Sequence, residues 1–172
     1  MNGNVSVCLI GMMGAGKSTV GPLLAEKLER PFIDMDSRIA TGEGMSISDI
    51  FKGQGEDYFR ELERNLLPQI LGENVIACGG GILARPVCRT ILGGQSTIYL
   101  RATIATLEAR LQGGGTRPLL PADRLLPDHL RQLLDQRRPY YEIAARWIVD
   151  VDELSPAEVV EMMVSKIKSD SP

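Results

Sequence analysis

The sequence predicts an α/β domain of three layers, with a five-stranded parallel sheet between two layers of helices. Three observations carry this. Five short apolar runs alternate with helical patterns along the whole chain, as parallel strands joined by helical crossovers require. Aspartates or glycines stand just after several of those runs, where open parallel sheets bind their ligands. The first run leads directly into Gly11-Met-Met-Gly-Ala-Gly-Lys-Ser-Thr19, whose Gly11, Gly16, Lys17 and Ser18 match G-x-x-x-x-G-K-[ST], the phosphate-binding P-loop.

The elements follow in order. Val5–Ile10 is short and apolar and ends at a glycine, so it reads as a buried parallel strand. A helix spans about Lys17 to Leu28. Pro31–Asp34 is the second strand, ended by Asp34-Met-Asp36, and a helical turn covers Ser37–Thr41. Gly42 and Gly44 break the chain. Ser46 N-caps a short helix through Phe51. Gly53 and Gly55 break it again, and an amphipathic helix runs from Glu56 to Leu71 with Gly72 at its C-cap. Val75–Cys78 is the third strand and Gly79-Gly-Gly81 follows at once. Pro86–Leu92 is a helix, Ser96–Leu100 the fourth strand, and Thr103 N-caps a helix to Leu111.

Gln112–Leu126 has three successive glycines, two prolines and two arginines with no periodicity, so a mobile loop is expected there. A helix covers Asp128–Arg137, and Pro139 breaks or kinks it before Tyr140–Ala145. Trp147–Val151 is the fifth strand. Ser155-Pro-Ala-Glu158 is a capping box with proline at the first helical position, opening a last helix that ends near Lys168.

A chain of 172 residues with no repeat or linker reads as a single domain, 1–172. Aromatic residues make up only 5%, so the core should be aliphatic. The net charge of −3 argues against nucleic acid as the main partner. Cys8, Cys78 and Cys88 are odd in number and lack metal-ligand spacing, and His129 is the only histidine. Reduced, buried thiols in a cytoplasmic protein are expected. No apolar run reaches the ~18 residues of a membrane span, and the N-terminus lacks the basic start of a signal peptide.

The chemistry is sought at the strand ends. In the P-loop, backbone N–H groups converge on phosphate and the following helix aims its N-terminal dipole at the same anion. Lys17 is placed to reach the β- and γ-phosphates and Ser18 to hold Mg²⁺. Asp34 and Asp36, two apart at the end of the second strand, can divide two tasks: holding the metal's water shell and taking a proton from an attacking hydroxyl. Either could instead cap the helical turn that follows. Gly79–Gly81 lets backbone approach a ligand closely, or makes a tight turn. Arg60, Arg117 and Arg137 are candidates for anion binding by a planar fork, although position alone does not separate Arg60 or Arg137 from ordinary surface charges.

Taken together, these stretches resemble the shikimate kinase family, small P-loop kinases of the nucleoside-monophosphate-kinase type. The matching segments are the P-loop, Phe32-Ile-Asp-Met-Asp36, Ile50-Phe51 with Gly55-Glu56 and Phe59-Arg60, Gly79-Gly-Gly81, Arg117-Pro-Leu-Leu120, and Arg137 with Pro139 and Tyr141. They occur in family order over residues 5–151. The resemblance implies strand order 2-3-1-4-5, an acceptor-binding segment over about 34–62 and a lid over about 112–126.

It also implies transfer of phosphate from ATP to the 3-hydroxyl of shikimate, with Mg²⁺. Asp36, Lys17 and Arg117 would be catalytic. Gly14, Ala15, Gly16, Lys17, Ser18, Thr19, Arg110, Arg117 and Pro156 would bind nucleotide, with Arg110 against adenine. Asp36, Phe51, Phe59, Arg60, Gly79, Gly80, Gly81 and Arg137 would bind shikimate, with the two arginines on its carboxylate. Ser18 would bind the metal directly and Asp34 through water. A monomer acting on small molecules is expected.

The chain departs from the family pattern in two places. Leu154 stands where a hydrogen-bonding side chain would otherwise meet adenine, and Gln112-Gly-Gly-Gly-Thr116 carries no basic residue besides the following Arg117. Two rivals are a related metabolite kinase, such as one acting on gluconate, and a non-catalytic relative that only binds nucleotide or a partner protein. Loss of Lys17, Asp36 or Arg117 would mark the second, and all three are present.

Overall fold

Apolar residues in an unbroken run must be covered on both faces, and the first strand, β1 (Val7–Ile10), is buried at all four positions. The structure, a computed structural model, describes residues 5–113 and 127–169. From β1 the chain continues through α1 (Lys17–Leu28), β2 (Phe32–Asp34), α2 (Met35–Glu43), α3 (Ile47–Leu66), β3 (Val75–Ala77), α4 (Pro86–Gly93), β4 (Ser96–Arg101), α5 (Ile104–Gly113), α6 (Pro127–Ala144), β5 (Trp147–Asp150) and α7 (Pro156–Ser169).

The sheet has the order β2-β3-β1-β4-β5 and every pairing is parallel. Parallel strands need crossovers, and the helices supply them and cover the sheet: α1 packs against α7, and α4 against α6. The main core is aliphatic, built on Leu9, Ile10, Leu24, Ile76, Ile98 and Leu100, with all three cysteines buried and unpaired. A smaller cluster of Ile39, Ile50 and Phe59 binds α2 to α3. Leu9 and Asp34 both pair with Ala77. The P-loop, the two aspartates and the triple glycine therefore leave the sheet from the same edge.

Several local expectations need correction. The turn expected at 37–41 is a full helix, α2, that starts at Met35, so Asp36 lies in a helical first turn. The break expected between the helices at 46–51 and 56–71 is present, but inside α3 it falls at Gly55 alone (φ 85°, ψ 173°). Gly53 stays helical. The far end of α3 comes at Leu66, because Pro68 cannot continue the ladder and sits instead in a 3₁₀ turn over Leu67–Gln69. Gly72 is therefore not its C-cap.

Pro139 does not end α6, which runs on to Ala144. Pro22 likewise sits inside α1. A 3₁₀ turn at Ile82–Ala84, not anticipated, joins the triple glycine to α4. The third and fifth strands each stop one residue short of expectation. The capping box of α7 is present as expected: Ser155 N and Oγ donate to Glu158 Oε2 (2.8 and 2.6 Å), and Glu158 N donates back to Ser155 Oγ (3.3 Å). Of the lid expected at 112–126, residues 114–126, with Arg117, lie outside the described residues.

Candidate active site

The P-loop geometry follows from its glycines. Gly11, Gly14 and Gly16 have φ of 143°, 81° and 99°, values that side-chain-bearing residues rarely adopt. Gly16 forms the N-cap of α1 with no side-chain hydrogen bond, so no side chain caps the end of the helix that an anion would approach. Lys17 folds over the loop, its Nζ donating to the carbonyls of Gly11 (2.8 Å) and Met12 (2.9 Å). Ala15 is buried, and Thr19 stands in the first turn of α1.

Ser18 Oγ donates to Asp34 Oδ2 at 2.6 Å. The other oxygen of Asp34 accepts from Ser37 N at 3.1 Å. Asp34 therefore N-caps α2 while also meeting the P-loop hydroxyl, so its cap role leaves one oxygen at the P-loop. A hydroxyl and a carboxylate at the end of a phosphate loop fit a hydrated Mg²⁺, which takes few protein ligands and keeps much of its water. Among the described residues no cluster of three or more metal-ligating side chains occurs.

Asp36 points from the first turn of α2 toward β3. Its Oδ1 would be 3.0 Å from a Cβ built on Gly79, and Glu63 Oε1 only 2.3 Å from the same point. Gly79 is therefore bare because two carboxylates occupy the space a side chain would need. Gly81 is bare for the opposite charge: a Cβ there would lie 2.2 Å from Arg60 Nη2. A Cβ on Gly80 would meet Arg137 Nη1 at 3.6 Å and the P-loop nitrogen of Met13 at 3.5 Å. The triple glycine thus touches Asp36, Arg60, Arg137 and the P-loop in three consecutive residues. It makes a close approach of backbone to side chains of the site.

Arg60 is buried, with 7% of its surface exposed, on the inner face of α3. Its Nη1 donates to Glu63 Oε2 (2.7 Å), and its Nε and Nη2 both donate to Glu56 Oε1 (3.1 and 2.7 Å). Burial works against the charge of Arg60, but Glu63 and Glu56 outweigh it and hold the guanidinium above its ordinary pKa. Burial likewise pushes the Glu63 carboxyl up, Asp36 adds to the push, and Arg60 and Arg137 oppose it. Phe51 and Phe59 meet as a tilted pair with ring centroids 4.8 Å apart, and the Arg60 guanidinium lies 5.5 Å from the Phe59 ring. The apolar wall and the charged floor are successive residues of one helix.

At the other end of the P-loop, Arg110 donates from Nη1 to Ala15 O (3.3 Å) and from Nη2 to Val151 O (2.7 Å). It ties the phosphate loop to the segment after β5, a few residues before Pro156 opens α7. Leu154 turns inward and packs on the main core. The amide and hydroxyl of Ser155 are both committed to Glu158.

Glu63 escaped the sequence reading, and Tyr141 entered it only within a matching segment, with no role assigned. Glu63 is 1% exposed, an extreme value for a carboxylate. The run Glu56, Arg60, Glu63 has i, i+4, i+7 spacing, one helical face with a cation between two anions, and that pattern could have been noticed. Tyr141, fully buried on α6, donates its hydroxyl to Gly80 O and so pins the triple glycine from below. Burial pushes its phenol up to about 12, so it stays a donor throughout the neutral range.

A family model described as shikimate kinase matches residues 13–168. The shikimate kinase of Dehalococcoides mccartyi (strain ATCC BAA-2266) is 40% identical over 166 residues, covering 95% of this chain and 93% of that protein. The solved shikimate kinase from Acinetobacter baumannii in complex with shikimate superposes with a TM-score of 0.91 at 31% identity, over 97% of this chain and 94% of that one. A gluconokinase from Sinorhizobium meliloti reaches a TM-score of 0.62 at 19% identity over 98% of this chain and 94% of that one, a likeness of fold alone. Sheet order, P-loop and nearly the whole length of sequence agree, and the chain belongs to the shikimate kinase family.

Proposed function

We propose that this chain transfers the γ-phosphoryl group of ATP to the 3-hydroxyl of shikimate, giving shikimate 3-phosphate and ADP. Family membership supports the reaction class, and one observation supports the acceptor. A buried arginine, a second arginine and an aspartate meet on one bare strand end beside the P-loop. Such a site suits a small acid whose carboxylate is gripped at one side while a hydroxyl faces the phosphate at the other.

That layout, with the family resemblance, supports the following roles. The backbone of Gly14–Thr19 and the Lys17 ammonium hold the β- and γ-phosphates, so Lys17 exchanges its two loop carbonyls for phosphate oxygens. Mg²⁺, when bound, neutralises charge on those phosphates; Ser18 would hold it directly and Asp34 through water. Arg60 and Arg137 bind the acceptor carboxylate, and Phe51 and Phe59 wall its ring. Asp36 accepts the proton of the attacking hydroxyl. Arg110 stacks on the base and Pro156 packs opposite, with no side chain of Leu154 or Ser155 left to read the base edge. Arg117, on a lid over 112–126, adds positive charge at the transferring phosphate, and closure excludes water that would compete as acceptor. The enzyme works as a cytoplasmic monomer, where its three buried thiols stay reduced.

Phosphoryl transfer needs positioning and charge neutralisation more than covalent help, and these residues supply both. An assay coupling ADP release to a chromophore, run with Mg·ATP and either shikimate or gluconate, tests the reading. Turnover of shikimate is expected, with gluconate at background. Turnover of gluconate without shikimate, or of neither, overturns it.

A further inference from the structure

Arg60 already holds a carboxylate where the acceptor's should go. A guanidinium grips an anion best along the edge that presents Nε and one Nη together. On Arg60 that edge is taken by Glu56 Oε1, while Glu63 uses the remaining Nη1. The two glutamates differ in kind. The Glu63 side chain is 1% exposed and cannot leave without stranding a buried charge, whereas the Glu56 side chain is 63% exposed.

Glu56 also follows Gly55, the one non-helical residue inside α3, which has open space around its Cβ position. On the solvent side lies a cavity of about 290 Å³ lined by Glu56, Asp57, Arg60, Ala84 and Arg85. A displaced carboxylate has room there, and a second guanidinium forms part of the wall.

From this we infer that Glu56 is a built-in stand-in for the acceptor carboxylate: it occupies the Arg60 fork in the empty enzyme and is displaced when the acid binds. The inference rests on Arg60 being the acceptor-carboxylate site. Binding is then an exchange of one carboxylate for another. Without the exchange, Arg60 and Arg137 would face four carboxylates, those of Asp36, Glu56, Glu63 and the acceptor; with it they face three. A neutral polyol offers only hydroxyls, which are weaker partners for a guanidinium, so it cannot take the fork from Glu56. Glu56 thus sets acceptor affinity and makes a carboxylate a condition of entry.

The test compares the wild type with Glu56→Gln, which keeps the shape and removes the charge. Shikimate is titrated into each protein by calorimetry without nucleotide, and steady-state constants are measured with Mg·ATP. The variant should bind shikimate about three- to fivefold tighter, since the lost carboxylate is largely exposed and its attraction to Arg60 is screened by water. The KM for shikimate should fall in step, while the KM for ATP stays put. Its affinity should also weaken more steeply with added salt, because binding now creates an ion pair instead of swapping one. Glu56→Ala should move in the same direction. Unchanged or weaker shikimate binding in Glu56→Gln, with wild type active on shikimate, overturns this inference alone. Wild-type protein that neither binds nor phosphorylates shikimate brings down the proposed function and the inference together.

Discussion

Asp36 and Glu63 show how much a single residue's meaning depends on its surroundings. Both are carboxylates facing the same bare glycine. Glu63 is locked to Arg60 from within the same helix, whereas Asp36 comes from α2 and stands at the P-loop end of the sheet. On the proposed reading the proton-accepting role belongs to Asp36, and Asp36→Asn should then lower kcat by about two to four orders of magnitude. The KM for ATP should stay within about twofold, because the P-loop is untouched. Steady-state kinetics with both substrates varied check this, and near-wild-type turnover would remove Asp36 from that role. The P-loop residues were readable because their task is local: a few glycines and a lysine at set spacing form the anion turn on their own. Glu63 was not, because burial of its carboxylate depends on what β3 and its glycines bring against α3.

At the scale of the element, the informative feature is the interruption of α3. Gly53 and Gly55 look alike in sequence, both small and flanked by polar residues. Only Gly55 leaves the helix, with a backbone conformation essentially confined to glycine, while a Cβ on either would meet nothing within 4 Å. The two substitutions should therefore act in opposite directions. Gly55→Ala should cost about 1–3 kcal/mol from backbone strain alone. Gly53→Ala should stabilise by about 0.5–1 kcal/mol, the usual gain from filling a helical glycine. Urea unfolding midpoints decide, and a stabilising Gly55→Ala would show that the break is not built in. The break lets Phe51 on one half and Phe59 on the other meet as a tilted ring pair. Which glycine breaks is thus a matter of packing against α2, which neither glycine carries in its own neighbourhood.

Across the molecule, ionisable groups set opposing dependences on pH. At the far side of the sheet, Asp150 on β5 stands opposite Arg101 on β4 and accepts from both its Nε and Nη2. Hydrogen bonding to Arg101 lowers the Asp150 pKa below its ordinary 3.8. A lowered carboxylate contributes stability that is present above the unfolded pKa and is lost as pH falls through the folded one. The melting-temperature gap between wild type and Asp150→Asn should therefore be small and positive near neutrality, since the pair is exposed, and should close below about pH 3.8. A gap that widens on acidification would contradict the assignment. Glu63 acts in the reverse sense. Its raised pKa means the folded state keeps a proton the unfolded chain gives up, so its contribution declines as pH rises above 4.5.

What the sequence determined by itself was whatever short range decides. Unrelieved apolar runs make buried strands, alternation with helices makes the sheet parallel, the glycine and lysine spacing makes a phosphate loop, and Ser155 with Glu158 starts a helix. Tertiary structure alone decided which charges lie inside. Arg60 became a buried cation because Gly81 leaves it space and Glu63 neutralises it, while Arg85, on the turn leading into α4, stayed only half-buried, paired with the exposed Asp57. The physical reason is that the cost of burying a charge is set by partners distant in the chain, so no local pattern can state it.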